Sequence, residues 1–149
     1  MSKGGCVDKM MQMHAVVIAG DYDQAKSLLD AGVPINMTEG FGQTALADAA
    51  WWGHESIVKL LLKRGAELEI ANKKGFTALY WAVNHAHKKI IEMLLAAGAD
   101  PNVKGLNNWT ALHEAALLRD TTIYDLLLTH GADVHAQGVW GKTPQDYRL

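Results

Sequence analysis

Thr44, Thr77, Thr110 and Thr143 stand 33 residues apart, and the first three open the segments TALADAA, TALYWAV and TALHEAA. The fourth opens TPQDYRL, where the sequence ends. One step back from Thr44 falls on Met11, whose segment MQMHAVV keeps a histidine, His14, with small and apolar residues behind it. Gly32, Gly65, Gly98 and Gly131 keep the same interval. A fixed period over the whole chain constrains it more than any local pattern does. Each copy is one small unit that buries its apolar face only by stacking on its neighbours.

The 149 residues fit one domain, 1–149, with units at about 6–38, 39–71, 72–104 and 105–137 and a partial cap at 138–149. The third unit shows the plan. Asn72-Lys73-Lys74-Gly75 is a turn. Thr77 is placed to cap a helix that continues from Ala78 to about His85. After a break at Ala86-His87, a second helix is predicted from about Lys88 to Ala96, with Ile90, Ile91, Leu94 and Leu95 at helical spacing. Gly98 ends it, because a left-handed residue past a helix suits glycine. Helices this short do not survive alone in water. Small pairs such as Ala49-Ala50, Ala82-Val83 and Ala115-Ala116 let neighbouring first helices approach, and Leu28, Leu61, Leu94 and Leu127 form one column of the core.

The pattern G-x-TALH-x-AA…GH…IV-LLL…GA resembles the ankyrin repeat over nearly the whole chain. The resemblance implies an all-α repeat solenoid of helix-turn-helix units with β-hairpin loops, about four repeats plus a truncated fifth, and a concave face. The sequence departs from the motif in places. Ala47 and Tyr80 replace the motif His; Ala86-His87 and Arg119-Asp120 replace Gly53-His54; Glu69 and His135 stand in the column of Asn36 and Asn102. These departures predict less regular bonding between loops. Unit one is degenerate and polar on its second helix, as a terminal cap requires. The last fragment is read as a minimal cap or a cut, which leaves Leu126 and Leu127 thinly covered. The family's asparagine hydroxylation would fall on Asn36 and Asn102.

Composition argues against several classes of function. The formal net charge of −2 makes nucleic-acid binding unexpected. No apolar run reaches the ~18–20 residues of a membrane helix, so no membrane association is expected. The apolar N-terminal stretch follows the repeat register rather than a signal peptide, and the two glycosylation sequons at Asn36 and Asn108 are read as chance. A lone cysteine, Cys6, fits a reducing compartment, cytoplasmic or nuclear, and is read as a bystander. Gly141-Lys142-Thr143 lacks the upstream glycine of a phosphate-binding loop, since Ala136 stands there. The histidines follow the repeat: His85 and His87 are two apart, where helical ligands sit three or four apart. No nucleophile, base and orienting acid recur as a set. The expectation is no enzyme, no metal, no cofactor and a monomer.

Recognition is expected on the aromatics. Phe41, Trp51, Trp52, Phe76, Trp81, Trp109 and Trp140 all fall on first helices or hairpin loops, the concave binding surface that the resemblance implies. Asp48 and Trp52 share a helix face, and the matching positions one and two units on are Trp81 with His85 and Glu114 with Leu118. These residues are predicted to form a stripe of acids beside aromatics, suited to a cationic side chain or methyl-lysine. Lys73 and Lys74 on the neighbouring hairpin would favour an acidic segment, and Asn107 marks the next hairpin tip. Packing competes with this reading at Trp81, Trp109, Glu114 and Trp140; on the packing reading Trp140 covers the last interface. The leading expectation is an interaction module for a protein or peptide. The alternative is a reader of a small ligand, a modified residue or a nucleotide base. An idealised scaffold with no natural partner is disfavoured by the irregular substitutions.

Overall fold

The computed structural model describes residues 4–148, with the Cys6 side chain outside the described residues. Its α-helices come in consecutive pairs: α1 (Gly4–Ile18) with α2 (Tyr22–Asp30), α3 (Ala45–Trp52) with α4 (Glu55–Lys63), α5 (Ala78–Asn84) with α6 (Lys88–Ala96), and α7 (Ala111–Leu118) with α8 (Thr121–Thr129). Each first helix packs on the next first helix, and α2, α4 and α6 line up behind them. One continuous apolar core runs through the pairs, with Val58, Leu61, Ile91, Leu94, Ile123 and Leu127 wholly buried. Leu28 is only partly buried, because α2 is the end of its row.

The helices start and stop for local reasons. Thr44 and Thr110 accept from the backbone N–H groups of Ala47 and His113, so each satisfies a donor in the first turn. Thr77 holds the same N-cap position without a side-chain bond. Asp21 and Asp120 cap the second helices α2 and α8. His54 and His87 occupy that column in the middle pairs and do not cap. Instead each Nε2–H donates to a carbonyl of the preceding pair, at Ile18 and Trp51 respectively, both at 3.0 Å.

That choice explains the residue facing each ring. A Cβ added to Gly53, at φ +78, would lie 2.6 Å from Cε1 of His87, and Gly20 meets His54 in the same way. Ala86 stands in this column at φ 56, opposite Asp120 rather than a histidine. Gly53→Ala is therefore expected to lose more than about 1 kcal/mol, while Ala86→Gly changes stability by less than about 1 kcal/mol or improves it. Urea unfolding of both variants checks this, and equal losses would contradict it.

The structure differs from expectation at four places. Helix α1 begins at Gly4, so a helical overhang replaces the turn that opens the later units. The β-hairpins reduce to turns: among the described residues the one bridge pairs Thr38 with Thr44, and neighbouring turns are joined by backbone bonds, Lys73 N–H to Phe41 O and Leu106 N–H to Lys74 O. Leu127 is fully buried and Leu126 partly so, because the 3₁₀ turn Pro144–Tyr147 folds onto α7 and the Arg148 guanidinium lies over the Tyr124 ring. The loop ladder also survives its substitutions. Glu69 accepts from Asp100 N–H just as Asn36 accepts from Glu67 N–H and Asn102 from Asp133 N–H. A carboxylate oxygen serves that column as well as an amide oxygen.

Candidate functional site

The exposed large apolar side chains fall mostly on the first helices and on the turns between units. Val7, Met11, Ile18, Trp52, Leu117 and Leu118 lie on first helices, and Phe41, Leu106 and Trp140 on the turns between units. Among the described residues, Tyr22 is the only such side chain on a second helix. The second helices otherwise turn polar and charged residues outward, such as Lys63, Lys88 and Glu92.

A half-open cavity of about 430 Å³ lies between these first helices and turns, where the first three units meet. Phe41, Trp51, Trp52 and Trp81 form aromatic walls, and Ile18 closes the side toward α1. Trp52 is 53% exposed, whereas Trp51 is partly buried against Trp81, with ring centroids 4.1 Å apart. His85 leans on Trp51 from outside the cavity, at 4.8 Å. The polar lining comes from Asp48, His14, Glu39, Gln43, Asn72 and Lys74. Lys74 Nζ lies 5.8 Å from the centre of the Phe41 ring.

The acids behave differently from the expected exposed stripe. Asp48 is buried, and its Oδ2 accepts from His14 Nδ1–H at 2.5 Å. Burial pushes its carboxyl above the ordinary aspartate range, although His14 opposes the shift. Glu114 is buried too: it accepts from Tyr80 Oη–H, Asn84 Nδ2–H and Trp109 Nε1–H at 2.8–3.1 Å. Burial, aided by the Glu114 carboxylate, raises the Tyr80 phenol far above its normal range and keeps it protonated. The physical reason is a pairing 34 residues apart. A polar side chain in the motif-histidine column, His14 or Tyr80, reaches the acid one unit further on. Ala47 has nothing to offer, and Trp81 stands opposite it, with a buried Nε1–H that has no partner among the described residues.

The structure thus gathers Phe41, Asp48, Trp51, Trp52, Lys74 and Trp81 around one cavity, and leaves the other expected residues elsewhere. Lys73 is exposed on the same turn as Lys74. Phe76 stacks on Tyr80 at 3.9 Å and meets Trp81 edge-on. Trp109 stacks on His113 and packs against Tyr147, and so belongs to the last interface. Asn107 is exposed at φ 60 at a turn tip, and Leu118 is exposed at the end of α7. Trp140, for which packing over the last interface was the competing reading, is 89% exposed at the tip of its turn. His14, Ile18, Glu39, Gln43 and Asn72 also line the cavity and are not among the expected site residues. The spacing of 34 between His14 and Asp48 was the signal that could have found the first.

His113 shows why its column favours histidine. Its Nδ1 accepts from Thr110 N–H, and its Nε2–H donates to Lys142 O at 3.2 Å. Burial lowers its pKa, so the ring is held neutral with one nitrogen in each role. Among the described residues no cluster of three or more His, Cys, Asp or Glu has metal-holding geometry, and no helix is long and apolar enough to cross a membrane.

Comparison with known proteins gives a consistent result. A family model for ankyrin repeats (3 copies) matches residues 13–105, and a model for a single ankyrin repeat matches residues 107–139. No curated protein matches the chain.

Proposed function

The chain belongs to the ankyrin repeat family, and from that premise we propose that it is a non-enzymatic module that binds a partner protein or peptide through the face made by its first helices and turn tips. Ankyrin repeats are generally protein–protein interaction modules. The observation that supports the finer reading is that exposed large apolar side chains, grouped around the aromatic cavity at Phe41 and Trp52, occur on first helices and turns and, Tyr22 apart, not on second helices among the described residues. Contiguous exposed apolar surface marks interaction sites, and aromatic side chains are the usual anchors.

A photo-crosslinking residue at position 118, on this face, is expected to join a partner in cell extract. The same residue at position 59, on α4, is expected to join none. Adducts at 59 alone would overturn the reading.

The reader alternative draws on the same cavity. Titrating nucleotides and free methylated lysine against tryptophan fluorescence separates the two. Saturation by a free small molecule supports the reader, and a flat response supports the protein-binding module.

A further inference from the structure

We propose that the cavity under Trp52 takes an arginine side chain from the partner segment; the proposal rests on the protein-binding reading above and names the chemistry of its anchor. Three observations point to a planar cation. The walls are aromatic faces, with Trp52 and Phe41 exposed and Trp51 and Trp81 set behind them. Such faces attract cations, and they stack best on a flat guanidinium.

The floor is Asp48. His14 occupies Oδ2 only, so Oδ1 has no protein partner among the described residues, and the side chain keeps 11% of its surface toward the cavity. An apolar occupant would strip water from that oxygen and give nothing back. A guanidinium brings several N–H donors in a fixed fork and satisfies it.

The mouth also favours a cation: the Asp48 carboxylate shares the lining with the His14 imidazole that bonds it and with the Lys74 ammonium, but Glu39 has no ion-pair partner among the described residues. Glu39 is held in place by the backbone N–H groups of Phe41 and Gln43, so its charge stays at the mouth. Lys74, with Lys73 beside it, lies on the turn and not at the floor. There the two would meet an acidic residue flanking the arginine.

The test uses the full chain and capped Gly-Arg-Gly, Gly-Leu-Gly and Gly-(trimethyl-Lys)-Gly tripeptides, titrated against tryptophan fluorescence and by NMR. The arginine peptide is expected to saturate and to bind most tightly. Trp52→Ala, at an exposed position, is expected to weaken it about tenfold. Asp48→Asn keeps the side-chain shape and is expected to weaken it by about the same factor. Equal or tighter binding of the leucine peptide would overturn the proposal in favour of a plain apolar pocket. Equal or tighter binding of the trimethyl-lysine peptide would overturn the guanidinium. No response to any peptide would remove the cavity as an anchor, while crosslinking at position 118 would still uphold the wider face.

Discussion

Cutting Leu94 to alanine is expected to remove about 2–5 kcal/mol of stability. Leu94 is wholly buried, and so are Ile90 and Ile91 on the same helix. It sits in the continuous core, so its loss opens a hole that neighbouring helices cannot fill without giving up their own contacts. In a stack, each unit is held chiefly by its neighbours. The damage should therefore reach beyond α6. Hydrogen exchange is expected to quicken across α5 to α8 and to change least in α1. Quickening confined to α6 would show that the units are not coupled.

His14→Ala is expected to cost about 3 kcal/mol, because it strands a carboxylate that burial already disfavours. The loss should depend on pH. The Asp48 carboxyl has a folded pKa above its unfolded value, and removing His14 takes away the interaction that held it down. Between those two values the folded chain binds more protons than the unfolded one. Stability then falls as pH rises through the window. The variant's deficit against the parent should be smallest near pH 4 and should grow toward neutrality. Denaturant unfolding of both proteins across that range measures it, and a deficit that is flat or largest in acid would contradict the assignment.

The sequence predicted α6 with the bounds observed, Lys88–Ala96, because its apolar spacing, its polar flanks and the glycine after it all agree. The core columns were legible for the same reason. The burial of Asp48 and Glu114 was not. Within one unit each acid looks like a surface residue beside an aromatic, and its partner lies 34 positions away on another helix. Comparing His14 with Asp48 and Tyr80 with Glu114 would have exposed the rule, and Ala47 with Trp81 completes it. The choice between packing and exposure at Trp140 was not legible for a different reason. A repeat register places a residue on a turn but does not say whether the tip has a neighbour to lean on. Phe41 and Trp52 are exposed on a turn and on a first helix, the elements where the repeat register places them.

The central claim is that the aromatic surface near Trp52 is left over from folding and kept for contact. A Phe41→Ala, Trp52→Ala double variant tests it without any partner in hand. Both side chains are exposed, at 44% and 53%. Its unfolding free energy in urea is expected to stay within about 1 kcal/mol of the parent, as for surface positions. A loss of about 3–5 kcal/mol, the cost of truncating buried aromatics, would show that these rings hold the stack together and would contradict the account.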